Sequence, residues 1–315
     1  MNQHLKIAQP WTQLAMFLFL FGGGLLLYSL VGSLLIQTLH IDPEALSGKR
    51  LDPSDKRTIN LLKMLQAVSS ALTFLLPAYI FPRMVYEGRY HYFIGFKKAD
   101  HSNMYMLAII AILLALPIVF WLGELNRMIP LPESLKSLER TAGKQIEIFL
   151  HHRSAWDITI NVLLLALLPA FGEELCFRAV LQRIIIHISG RPLYGILITG
   201  FLFSALHLQF EGFLPRMFLG VILGALYWYS GSIWTSVLAH FTNNAVQVIA
   251  ASYSPKLIDT VPQIPVLLVV SSAIGVTGIL YYFKRESRQS FSRIYQPEQL
   301  GRDIPFLAEQ KKEFE

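Results

Sequence analysis

Two adjacent glutamates and an arginine, Glu173-Glu-Leu-Cys-Phe-Arg178, stand in the middle of an apolar run that begins at Ile158 and continues to Ile188. A run that long is a membrane-span candidate. Ionisable groups at such depth are costly enough that they face a bundle interior or a wet cavity, where they pair or do chemistry. On a helix Glu174 and Arg178 are four residues apart and share a face, while Glu173 points about 100° away. One carboxylate therefore has a partner at hand and the other does not. His207 stands near the end of a second apolar run, Gly195 to Phe210, and His240 stands with Asn244 in a third. Between Met217 and Pro255, His240 is the only side chain whose charge changes near neutral pH. A glutamate and two histidines on three separate helices make a candidate site.

Water attacks a peptide carbonyl only if one group takes its proton and another steadies the developing oxyanion. A glutamate partly desolvated in a membrane cavity, Glu173 or Glu174, suits the first task, and His207 can hold the same water or relay the proton. His240 and Asn244, at i and i+4 on one helix face, can both aim donors at one oxygen. A second scheme makes Glu173, His207 and His240 a two-histidine, one-carboxylate zinc site with water in the fourth position. Neither scheme needs a serine or cysteine nucleophile. The alternative reading is an ion-pair cluster that holds helices together and does no chemistry. Cys176, the one cysteine, excludes an intramolecular disulfide. It lies about 200° around the helix from Glu174 with no histidine in helical reach, so it reads as a packing residue.

These residues need helices to hold them, and the composition says in what medium. Of 315 residues 53% are hydrophobic and only 15% charged, with a mean hydropathy of +0.45; a soluble domain has about 25% charged residues. The expected architecture is an all-α, polytopic integral membrane bundle. The net charge of +6 is scattered over short polar intervals and the tail, which reads as topology and interface anchoring and gives no footprint for nucleic acid. Membrane lipid is the expected partner.

Taken in order, residues 1–13 form a polar lead. Leu14 to Ile36 is a first span with no charge, longer than the ~7–15-residue core of a signal peptide. The polar interval His40 to Asn60 follows, and then a second span, Leu61 to Pro82. Arg83, Arg89, Lys97 and Lys98 with Tyr86, Tyr90, Tyr92 and Phe93 look like a cytoplasmic interfacial loop. Met104 to Gly123 is the third span. After it Leu135, Leu138, Ala142, Ile146 and Phe149 recur at helical spacing opposite charged residues, which predicts an amphipathic helix on the membrane surface. The fourth span is the Ile158 to Ile188 run, tilted, extended into the interface or broken near Pro169. The fifth is Leu193 to Phe210 and the sixth Met217 to Tyr229, where Gly220 and Gly224 form a face suited to close helix contact. The seventh runs from Ile233 to about Ser252 and the eighth from Val261 to Phe283. A basic tail, 284–315, should stay cytoplasmic. Eight crossings then put both termini on the cytoplasmic side of what is expected to be a bacterial membrane, although the basic interval with Lys49, Arg50, Lys56 and Arg57 and the basic amphipathic segment after the third span fall on the other side.

The motifs resemble those of the CPBP family of intramembrane proteases, also called the Abi or CAAX-protease-like family, which includes the Ras-converting CAAX endopeptidases. The family's Glu-Glu-x-x-x-Arg is present as Glu173 to Arg178, its Phe-x-x-x-His as Phe203 to His207, and its His-x-x-x-Asn/Asp as His240 to Asn244. The resemblance covers Leu168 to Val248 and, through the helix layout, extends over 14–283 as the protease domain. It implies that Glu173 and His207 activate the water, that His240 and Asn244 are the oxyanion donors, and that the substrate is a peptide or membrane protein. The family is nominally one of metalloproteases, but the His-Glu-x-x-His signature is absent. The expectation is therefore a glutamate mechanism that requires no cofactor, with zinc as the rival. Two other classes stay open: an idle scaffold or bacteriocin-immunity protein of the same fold, and a proton- or ion-coupled transporter. The latter would be expected to show an internal repeat of broken helices, and none is visible.

Overall fold

Each apolar run of the sequence carries a helix in the computed structural model, which describes residues 5–40, 55–87, 90–254 and 262–295. In chain order the helices are α1 (Pro10–Thr38), α2 (Lys56–Val85), α3 (Asn103–Arg127), α4 (Glu133–Phe149), α5 (Ala155–Ser189), α6 (Pro192–Ala205), α7 (Phe213–Ser230), α8 (Ile233–Tyr253), α9 (Val266–Glu286) and a short α10 (Phe291–Tyr295). The protein is all-α, with a single isolated backbone bridge, Leu5 to Tyr86, among the described residues. Six of these helices are long and apolar enough to cross a membrane: α1, α2, α3, α5, α7 with the turn before it, and α9. Helix α6, at 14 residues, falls short of the ~20 a full crossing takes. Leu18, Phe19, Leu26 and Leu30 of α1, and Val266, Leu267 and Ile274 of α9, stand exposed. A soluble monomer does not leave so continuous an apolar surface bare, so this is an integral, multi-pass membrane protein. Of the basic residues assigned to loops and tail, Lys49, Arg50, Arg89, Arg302, Lys311 and Lys312 lie outside the described residues.

Helices α1, α2 and α3 run a few residues past the expected spans and α9 starts at Val266, and three other differences bear on the site. The fifth run stops being helical at Ala205, not Phe210, because Leu208 adopts a positive φ of 54°. That reversal places His207 in the turn after α6. The sixth helix starts at Phe213, four residues before Met217. Pro215 and Arg216 fit in its first turn, where a missing N–H has no intrahelical acceptor to lose. The fourth run does not break at Pro169. Instead α5 is continuous over 35 residues and widens into π-helical turns at Leu163–Leu167 and Glu174–Gln182. The first of these lies just ahead of Pro169, and α2 does the same at Ser70–Leu75, just ahead of Pro77. A wider turn relieves the clash of the proline ring with the preceding carbonyls.

Helix α5 is the axis of the bundle. Every residue from Gly172 to Ile186 is buried, enclosed by α1, α2, α6, α7 and α8. Close approach on one side is set by small residues. A Cβ on Gly220 would lie 3.0 Å from Gly200 Cα, and one on Gly224 only 2.5 Å from Gln182 Oε1. The Gly220 and Gly224 face therefore brings α7 against α6 and α5, as the spacing suggested. Cys176 lies in the apolar core with Phe177, Phe203 and Val237.

The connections gather at two ends. At one, Lys6 N donates to Val85 O at 2.9 Å, Asp100 N to Ser230 O at 3.0 Å and Ile233 N to Gly95 O at 2.9 Å, and Arg288 N donates to the Asp100 carboxylate at 2.8 Å. At the other, Asn126 at the end of α3 donates to Phe210 O at 2.6 Å and accepts from Leu214 N at 2.7 Å. There Glu139 of the amphipathic α4 accepts from Glu211 N at 3.0 Å.

Candidate active site

Glu173 and Glu174 fall where α5 passes into its second π-helical stretch, a distortion that recurs at functional sites. The two carboxylates leave the helix in different directions and meet different surroundings. Glu174 is sealed: its side chain and that of Arg178 are both 0% exposed, and Oε1 lies 2.8 Å from Arg178 Nη1. The i,i+4 pair read from the spacing is therefore formed. Arg178 also sends Nη2 to Gly220 O at 3.3 Å, and its guanidinium carbon sits 4.4 Å from the Phe203 ring centroid. The charge is held between a carboxylate, a carbonyl and an aromatic face.

The same Glu174 Oε1 receives His240 Nδ1 at 2.8 Å. A carboxylate cannot donate, so Nδ1 carries the hydrogen, and the bond fixes both the tautomer and the ring plane. The other nitrogen, Nε2, is then turned toward Glu173, whose Oε2 is 3.9 Å away. That is too long for a hydrogen bond and close enough for both atoms to meet one small reactant. Glu173 keeps 12% of its side chain exposed, where Glu174 has none. Of the two carboxylates only Glu173 is reachable.

His207 joins this group through an aromatic ring. Phe203, one turn earlier, lies edge-on to both histidines, with ring centroids 4.9 Å from His207 and 5.8 Å from His240. His207 Nδ1 is 2.6 Å from Phe203 O. A carbonyl only accepts, so Nδ1 carries the hydrogen and Nε2 is the lone-pair nitrogen. Asn244 accepts at Oδ1 from Asn243 Nδ2 at 3.1 Å, which leaves its own NH₂ to donate elsewhere. Asn244 makes no hydrogen bond to Glu173, His207 or His240. Asn243 Oδ1 is buried without a hydrogen-bond partner among the described residues.

Glu173, Glu174, Arg178 and His240 are thus in one cluster, with His207 across the Phe203 ring and Asn244 one turn along α8. The link from Glu174 to His240 is what the sequence reading missed, since only the fold brings two residues 66 apart together. Zinc is a poor fit to this arrangement. No three His, Cys, Asp or Glu side chains among the described residues are grouped so that they could hold a metal ion. Phe203 O and Glu174 engage Nδ1 of the two histidines, an orientation that ligation through Nε2 would also use, so the poor fit rests on His207 standing across the Phe203 ring from Glu173 and His240.

A protein of Bacillus subtilis (strain 168), YpbD, described as uncharacterized, is 32% identical to this chain over 90 residues, which is 27% of this chain and 43% of that protein. The chain thus matches less than half the length of that relative. No solved structure matches it. The segment that carries every side chain of the cluster, residues 155–246, matches the model of the family described as type II CAAX prenyl endopeptidase Rce1-like.

Proposed function

We propose that the chain is an intramembrane endopeptidase that hydrolyses a peptide bond with water activated by Glu173. The observation that carries this reading is the line Glu174–His240–Glu173. A sealed carboxylate, balanced by Arg178, holds one imidazole nitrogen, and the second nitrogen is presented beside the one carboxylate that remains reachable. An ion-pair cluster with a purely structural task would leave no such reachable member.

In this mechanism the water oxygen attacks the carbonyl carbon while Glu173 takes one of its protons, and the Nε2 lone pair of His207 accepts the water's other hydrogen to orient it. The oxyanion is met by His240 Nε2–H and by the Asn244 amide. The donor form of His240 carries hydrogens on both nitrogens, one toward Glu174 and one toward the oxyanion. Collapse breaks the C–N bond, and the proton held by Glu173 passes to the leaving amine. Glu174 and Arg178 position His240, and Cys176 takes no part. No step runs through a metal. The idle-scaffold reading is favoured by no observation of its own.

Eight crossings, with α4 lying in the interface and both termini on the cytoplasmic side of a bacterial membrane, complete the proposal. The substrate is a peptide or a membrane protein segment that reaches Glu173 between α5 and α8. Purified protein in neutral detergent should cleave an unfolded reporter, and Glu173→Gln and His207→Ala should each reduce the rate by at least a hundredfold without loss of fold. Cleavage at the parental rate in both variants would remove the mechanism.

A further inference from the structure

Arg183 lies five residues beyond Arg178 on α5 and is buried. Its Nε donates to the hydroxyl of Tyr227, and its guanidinium carbon is 5.3 Å from the centroid of that ring. This is the only hydrogen bond its side chain makes among the described residues, and no Asp or Glu there comes within ion-pair reach of it. The phenols around it are fixed. Tyr227 passes its own hydrogen to Ile94 O at 3.2 Å, and Tyr295 donates to Arg183 O at 2.7 Å.

The same bonds bring two more cations to this end of the bundle. Ile94 leads into the loop that holds Lys97, pinned by Ile233 N on Gly95 O at 2.9 Å and by Ser232 Oγ on Lys97 O at 2.6 Å. Tyr295 closes α10, which carries Arg293. Asp100, the nearby acid, is already bonded to Arg288 N at 2.8 Å and Gln289 Nε2 at 3.1 Å. Neutral phenols solvate a guanidinium but do not balance its charge, and a buried charge without a counterion is costly. The two Nη groups left over on Arg183, at the same end of the bundle as Lys97 and as Arg293, whose Nη1 also donates to Arg288 O at 2.9 Å, are the set that an oxyanion with several acceptor atoms takes.

We propose that Arg183, Lys97 and Arg293 form a binding site for a phosphate-type anion at this end of the bundle. The ligand chemistry is shared by free phosphate and by the phosphodiester head group of an anionic lipid. Burial first, then Arg183 and to a smaller extent Arg293, opposed by Asp100, hold the Lys97 ammonium down to about 8. The site is independent of the peptidase reading.

The test is thermal unfolding of the full chain in neutral detergent at fixed ionic strength, titrated with inorganic phosphate alone, with dioctanoyl phosphatidylglycerol, or with dioctanoyl phosphatidylcholine. Phosphatidylglycerol should raise the midpoint at concentrations where phosphatidylcholine does not, and in a Lys97→Gln/Arg293→Gln double variant at least a tenfold higher concentration should be needed. Stabilisation by phosphate at the same concentrations would retain the site and make its occupant a soluble anion. No shift with either anion, or an equal shift in the double variant, would overturn the proposal. Lys97 and Arg293 lie on the loop and on α10, so the test does not depend on a variant of buried Arg183 that folds.

Discussion

At the scale of single residues, the proposed mechanism gives the two neighbouring glutamates different tasks. Glu174 holds Arg178 and His240 through one oxygen in a fully buried setting. Removing one partner of such a pair strands the other charge, at a cost of about 3–5 kcal/mol. Glu174→Ala should therefore lower the unfolding midpoint and the yield of folded protein far more than Glu173→Ala does, read by thermal unfolding in detergent. Equal midpoints would assign Glu174 no structural task. Lys97 allows a second forecast. Burial comes first, then Arg183, with Arg293 adding and Asp100 opposing, and together they lower its affinity for the proton to about 8, while the Tyr92 ring lies under the ammonium. A lysine lowered on folding binds its proton more weakly than in the unfolded chain. The penalty is thus fully present below about pH 8 and is relieved as pH rises toward the unfolded value of about 10.4. Lys97 is partly exposed, so the effect is modest. Without anionic lipid, Lys97→Met should be the more stable protein at pH 7, and its advantage should shrink by pH 9.5. An advantage that grows with pH would contradict burial and like-charge repulsion as the cause.

Between elements, the fit of α7 to α5 and α6 sets where the site residues stand. Arg178 donates to Gly220 O, and Gln182 Nε2 donates to Gly224 O at 3.0 Å, so two buried polar side chains of α5 read the bare backbone of α7. Gly220→Val should force α7 away from Gly200 and Phe203, with an overpacking cost of about 1–3 kcal/mol, and should impair cleavage by moving the ring between the two histidines. Gly278→Ala, where an added Cβ meets nothing within 4 Å, should leave stability unchanged or raise it by up to about 1 kcal/mol. Thermal unfolding of the pair separates packing from helix propensity. This level also shows what was legible beforehand. The Glu174–Arg178 pair and the small-residue face could be read because each is a matter of spacing along one helix. The His240–Glu174 bond and the Phe203 ring between the histidines could not, since they depend on how helices dock. The π-helical turns were hidden too. Proline marks where a helix is disturbed, but packing decides whether it breaks or widens.

For the molecule as a whole, the connections have to alternate between the two faces of a membrane, and the hydrogen bonds between them say which belong together. The loop after α2, the turn between α7 and α8 and the segment after α9 are bonded to one another. The end of α3, helix α4 and the turn before α7 form the opposite set. The proposed eight crossings would produce this partition, because each set would then be separated from the other by an odd number of helices. Lys97, Lys98, Arg191, Lys284 and Arg285 fall in or beside the first set, and an excess of bases marks the cytoplasmic side. Lys56 and Arg57 fall on the other side, but Arg57 Nη2 is bound to Leu39 O at 2.7 Å, which gives that base a local structural role. Cys176, the single cysteine, is buried, so a Cys176→Ala background suits labelling with a membrane-impermeant maleimide on intact cells. Lys98→Cys and Arg285→Cys should stay unlabelled until the cells are opened, while Met128→Cys and Lys136→Cys should react from outside. Labelling of Lys98→Cys and Met128→Cys from the same side would mean that α3 does not cross. A reversed pattern with the pairs intact would keep the bundle and invert its orientation, which would place the proposed anion site against the outer leaflet.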